Sequence, residues 1–166
     1  MIFVTVGTNE ARFERLVEAA GRIPGDEELV IQTGHCLGRP ERAACVPFLD
    51  FDDMLDHARR ARAVVCHAGV GSIMMSLSAG RRPVVMPRLA ALGEAVDDHQ
   101  VPLARRMAQD GLVLLVEDPA DLPAAVAADG ATAALAGGGG TDLARDLAGY
   151  LASVVPAHAG RRRRVP

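Results

Sequence analysis

The sequence has 166 residues, 49% hydrophobic and 23% charged, the balance of one globular domain with a core large enough to be stable alone. Aromatic residues make up 3% and tryptophan is absent, which weighs against a surface that stacks nucleic-acid bases. The net charge of −3 is uneven: residues 161–164 are four arginines, and without them 14 arginines face 21 acidic residues, an acidic body that argues against DNA or RNA as partner.

In chain order, residues 2–6 form a short β-rich run that ends at Gly7, and Asn9 is placed to cap a helix from about Glu10, with Phe13, Leu16, Val17 and Ala20 at helical spacing. Residues 28–32 and 45–49 read as the second and third strands, and residues 50–60 as a helix with Met54, Leu55 and Ala58 inward. The apolar run 63–66 reads as strand four, followed at once by His67-Ala68-Gly69 and a helix over 71–79 that Gly80 stops. Residues 83–86 read as strand five, 89–96 as a loop, 97–109 as a helix and 112–116 as strand six. A helix then opens at Asp118-Pro119 and runs to about Ala128. Residues 137–140 are a glycine joint before a last helix to about Val154. Residues 1–155 are expected as one domain, with 156–166 a disordered, arginine-rich tail. Strands alternate with helices, and several strands are apolar on both faces, as in a parallel sheet covered on both sides. The expected fold is therefore α/β and Rossmann-like, with about six parallel strands.

Cys36, Cys45 and Cys66 show no CxxC spacing and are odd in number, so reduced, buried thiols are expected rather than a zinc site or a disulfide framework. Residues 1–10 lack the charged region of a secretion signal, and no apolar stretch reaches the roughly 18 residues of a membrane span. Lysine is absent, a compositional bias that leaves arginine as the sole basic side chain besides histidine.

Open parallel sheets bind ligands at the carboxyl ends of their strands. Those ends carry Gly7-Thr8-Asn9, Thr33-Gly34-His35, the segment from His67 through Gly69 and Gly71 to Ser72, and Arg88 with the loop to Glu94. Two glycines let backbone approach a ligand, and Ser72 lies in the first helical turn, where free N–H groups attract an anion. A tight strand–helix turn accounts for the same residues, and Asn9 or Asp97 for simple caps. The sequences GxxxxGK[ST] and GxGxxG are missing, which disfavours nucleotide hydrolysis and hydride transfer. Glu94, Asp97, Asp98, His99 and Gln100 gather carboxylates and an amide suited to sugar hydroxyls, or to the start of a solvated helix. Asp97, Asp98 and His99 are adjacent and point around the helix, so no shared metal is expected. Arg88 is placed to meet a phosphate or an acidic neighbour. His35, His57 and His158 read as ordinary surface or loop histidines.

The stretches FVTVGTNEARFERLV, LVIQTG, AVVCHAGVGSIMMSLSAGRRPVVMPR and GEAVDDHQVPLARRMAQDG lie in order across residues 2–111. They resemble the C-terminal domain of glycosyltransferase family 28, and more closely the small donor-binding subunits of split polysaccharide glycosyltransferases. The resemblance implies the C-terminal half of a GT-B enzyme that is inverting, independent of metal and any other cofactor, and transfers a hexose or N-acetylhexosamine from a UDP-sugar. It places the diphosphate at Gly7, Thr8 and the turn His67, Ala68, Gly69, Gly71, Ser72; uracil near Phe51; and sugar hydroxyls at Asp98, His99 and Gln100. Larger members carry a ribose-holding Glu where Met75 stands, and Glu94 is the candidate substitute. The acceptor-side base is expected on a membrane-anchored partner subunit, with His99 the only candidate in this chain. A lipid-linked acceptor is implied, and a cytoplasmic chain held at the inner face of the membrane through that partner. A UDP-sugar hydrolase or epimerase, which needs Glu94 and His99 as an acid–base pair, and a non-catalytic nucleotide-binding module are the alternatives.

Overall fold

The computed structural model describes residues 1–129. The expected joint at 137–140, the last helix, the tail and His158 lie outside them. Six strands form one parallel sheet: β1 (Ile2–Thr5), β2 (Leu29–Gln32), β3 (Ala43–Val46), β4 (Ala63–His67), β5 (Val84–Met86) and β6 (Leu114–Leu115). Their order is β3-β2-β1-β4-β5-β6. The chain runs outward from β1 to one edge, returns, and continues outward from β4, so the switch point lies between β1 and β4. Among the described residues five α-helices connect or follow the strands: α1 (Glu14–Gly21), α2 (Phe51–Arg60), α3 (Val70–Ser78), α4 (Gln100–Gln109) and α5 (Leu122–Asp129).

Alternation along the strands sorts the core into two faces. Ile2, Val4, Leu29, Ile31, Val65, Val84 and Met86 pack with Leu16, Val17 and Ala20 of α1 and Leu122 and Val126 of α5. The other face carries Phe3, Val30 and Val64 against Ala58 of α2 and Met75 of α3, and Cys66 and Val85 against Ile73, Ala104 and Met107. This two-sided burial is why the strands read as unbroken apolar runs. Cys36 and Cys66 are buried, Cys45 half-buried, and all three are free. Among the described residues no helix is long and apolar enough to cross a membrane.

Several boundaries differ from expectation, three of them with a visible local cause. Helix α1 begins at Glu14, not Glu10: Asn9 Oδ1 accepts from Ala11 N at 2.8 Å and Phe13 N donates to Cys36 Sγ, which holds residues 9–13 as a loop. Strand β3 ends at Val46 because Pro47 has no N–H for the ladder. Helix α4 begins at Gln100, since Asp97 accepts from His99 N and Asp98 from Ala90 N, folding 97–99 into the preceding loop.

Candidate functional site

The crevice at the switch point is built first by a buried polar knot. Thr5, at the end of β1, donates its hydroxyl to Gln32 Oε1 at 2.5 Å and accepts from Gly7 N at 3.1 Å. Gln32 Nε2 in turn donates to Gly7 O and to Pro47 O, at 3.1 and 2.9 Å. Both backbone groups of Gly7 are thus fixed by side chains, and its φ of 78° suits glycine. Across the crevice, α3 opens at Gly69 with no capping side chain, so the N–H groups of its first turn are unspent.

His67 ends β4 and lies between the two glycines. A Cβ on Gly7 would stand 2.4 Å from its Cε1, and one on Gly69 would stand 2.2 Å from its Nε2. These glycines make room for an imidazole. A Cβ on Gly71 would meet nothing within 4 Å, so this is the glycine that leaves its backbone open to a ligand. Burial, then the positive charge of Arg88, push the His67 pKa down to about 4, offset only in part by the Thr5 backbone. The ring is therefore neutral at physiological pH.

This shift sets an expected pH dependence. The folded value lies below the ordinary 6.5, so the unfolded chain binds the proton more readily. The stability involved is fully present above pH 6.5, is lost as pH falls towards 4, and amounts to about 3 kcal/mol. Denaturant titrations across that range should show the loss, and a His67→Gln variant should flatten it. An equal slope in both proteins would contradict the assignment.

These elements enclose a cleft of about 470 Å³, within the usual range for small-ligand sites. It is lined by Gly7, Thr8, Asn9, Phe51, Met54, His67, Gly71, Ser72 and Met75. Seven of the nine are candidates on sequence grounds. Met54 reads there only as an inward helix residue, and Met75 only as the position of a missing Glu. Their signal is spacing: Phe51 and Met54 lie one turn apart on α2, and Gly71, Ser72 and Met75 share one face of α3. Ala68 turns away into the core beside Cys66 and Ile73.

The remaining candidates form a second group after β5, outside the lining. Arg88 does not line the cleft. It is 0% exposed and its guanidinium donates to three carbonyls, Ala11 O at 2.7 Å, Glu94 O at 2.9 Å and Val6 O at 2.8 Å, with Phe13 beneath it. It makes no ion pair among the described residues, although the Glu94 carboxylate lies near enough to favour its charge. Glu94 is also committed: Arg15 binds both carboxylate oxygens, at 3.1 and 2.8 Å, and Leu89 N donates to it. Its carboxylate is enclosed and lies outside the cleft lining, which weighs against Glu94 as the substitute for a ribose-binding Glu. Gln100 is buried with Oε1 accepting from Arg88 N, exposed Asp98 accepts from Ala90 N, and the exposed His99 ring pairs with Asp97. Among the described residues no group of three or more His, Cys, Asp or Glu is arranged to hold a metal. His35 packs edge-on to Phe48 and His57 stacks on Phe3, away from the cleft.

Comparison with known proteins agrees with this architecture. A UDP-N-acetylglucosamine–N-acetylmuramyl-(pentapeptide) pyrophosphoryl-undecaprenol N-acetylglucosamine transferase from Ralstonia nicotianae is 36% identical over 85 residues, covering 51% of this chain and 22% of that protein. Among solved structures, the glycotransferase of kitacinnamycin matches at 23% identity and a TM-score of 0.57, over 89% of this chain and 37% of its own. CalG4, the calicheamicin glycosyltransferase, matches at 20% identity and a TM-score of 0.57, over 93% and 44%. The chain thus spans less than half the length of each. These two likenesses bear on the fold, which is that of a GT-B glycosyltransferase half, as expected from the sequence. The glycosyltransferase family 28 C-terminal domain matches residues 1–130, and this chain belongs to that family.

Proposed function

We propose that the chain is the donor-binding half of an inverting, metal-independent glycosyltransferase that grips a UDP-sugar at the β1/β4 crevice. The observation that carries this reading is the chemistry of the cleft: an uncapped helix N-terminus, a glycine loop and hydroxyl side chains, with no carboxylate in the lining. Such a surface attracts a diphosphate, and the buried charge of Arg88 adds to that attraction. Family membership and the UDP-sugar named in the Ralstonia transferase support the same donor.

In this reading the diphosphate lies on the first turn of α3 with Thr8, Asn9 and Ser72 as donors, and the base extends past Phe51. The transferred hexose or N-acetylhexosamine reaches toward Asp98, His99 and Gln100. As the bond to the anomeric carbon breaks, negative charge grows on the departing UDP, and helix N–H groups oriented beforehand stabilise it. The base that deprotonates the acceptor comes from a separate acceptor-binding unit. A membrane-anchored partner subunit with a lipid-linked acceptor completes the enzyme, which holds this chain at the cytoplasmic face of the membrane. A hydrolase or epimerase is disfavoured, because Glu94 and His99 are both paired elsewhere and neither lines the cleft.

Thermal unfolding with UDP, ADP and GDP tests the donor. At a concentration 100-fold above its Kd, a ligand adds about 2.7 kcal/mol, which is roughly 5–10 °C in Tm for a chain of this size. UDP should give that shift and the purine nucleotides much less. Equal shifts, or none, would overturn the assignment.

A further inference from the structure

Resting on that nucleotide reading, we infer that the cleft binds ribo- and 2′-deoxyribonucleoside diphosphates with similar affinity, because its pentose side presents thioethers and a phenyl ring where a diol-reading site needs a carboxylate.

The lining divides by chemistry. Gly7, Thr8, Asn9, His67 and Ser72 make one side polar, and Phe51, Met54 and Met75 make the other apolar. The apolar side is floored by α2 and α3, which pack together with Met75 buried among Phe3, Val30 and Val64. Met75 follows Ser72 by three residues on the same face of α3. With a phosphate on the first turn of that helix, the pentose lies over the next turn, about 5.4 Å along the axis. The side chain waiting there is Met75.

Two acids near the cleft are engaged by other groups. Asp50 caps α2 by accepting from Asp53 N at 2.8 Å, and Glu94 is enclosed by Arg15. Among the described residues no carboxylate lines the cleft, so a pentose diol seated there meets no acceptor carboxylate in its walls. The energetic consequence is asymmetric. A site that hydrogen-bonds a substrate hydroxyl rejects the analogue lacking it strongly, while an apolar wall discriminates weakly in either direction. Methionine adds to this tolerance, because its flexible thioether adapts to small changes of shape.

The experiment is calorimetric titration of the full chain with UDP and with 2′-deoxy-UDP. The expected result is two dissociation constants within about tenfold of each other. Met75→Glu and the uncharged Met75→Gln, which spares a buried carboxylate, are expected to open a preference for UDP, whereas Met75→Leu keeps the parity. A wild-type preference for UDP well above tenfold overturns this inference and leaves the nucleotide reading standing. Parity that persists in both Met75→Glu and Met75→Gln overturns the position of Met75 beside the pentose. Binding of neither nucleotide at millimolar concentration overturns the nucleotide reading itself, and this inference with it.

Discussion

Gly7→Ala is expected to destabilise the fold by about 4 kcal/mol and Gly69→Ala by about 3 kcal/mol, the latter almost entirely through one imidazole. The new methyl would sit 2.4 Å from the His67 ring in the first variant and 2.2 Å in the second, well inside van der Waals contact. The ring is mostly enclosed and has little room to retreat. The backbone separates the two cases. Gly69 has a φ of −83°, which alanine adopts freely, whereas Gly7 has a φ of 78°, which costs an L-residue about 1–2 kcal/mol. In a His67→Ala background, Gly69→Ala should therefore become nearly neutral, and Gly7→Ala should retain only its backbone cost. Denaturant unfolding of the single and double variants, read as double-mutant cycles, measures this. Equal costs in both backgrounds would show that the glycines serve something other than the ring.

Arg88→Leu should be comparably severe, at about 3 kcal/mol or more, or roughly 6–12 °C in Tm. The substitution removes three charge-assisted bonds and leaves the carbonyls of Val6, Ala11 and Glu94 in a buried space without their donor. Arg88→Lys should recover only part of this, because one ammonium does not reproduce a planar fork spanning three carbonyls. A purely structural role predicts nothing about His67, but the charge does. Burial is the larger cause of the lowered His67 pKa and Arg88 the second, so removing the cation should raise that pKa, measurable by NMR titration of the imidazole. A Leu variant within about 1 kcal/mol of the parent would show that the three bonds contribute little.

The sheet is legible in the sequence because both of its faces are buried. Runs such as Val64-Val65-Cys66 and Val84-Val85-Met86 need no alternation, and the residue after each strand marks its carboxyl end. Searching those ends finds Gly7, Thr8, Asn9, His67, Gly71 and Ser72 of the cleft lining, since the place of the crevice follows from topology once the strands are known. Phe51 comes from family likeness alone. Arg88 is legible as a residue beside a strand end and illegible in its role. Its partner at Val6 is 82 positions away, and no local pattern tells a guanidinium that meets a phosphate from one that ties the loop after β1 to the loop after β5. The engagement of Glu94 is hidden for the same reason: its partner, Arg15, lies on α1, 79 positions earlier. The start of α1 is misplaced because the cap signal at Asn9 is real, but it closes a loop turn instead of a helix.

The knot of Thr5, Gln32 and Gly7 has one more consequence. The pairing of β1 with β2 brings Thr5 directly opposite Gln32, so forming the sheet also shapes the first ligand loop. On the proposed donor reading, a diphosphate meets backbone that the sheet has already fixed, so little of its binding energy goes into ordering that stretch. The shape of that loop is in this sense settled during folding, before any ligand is encountered.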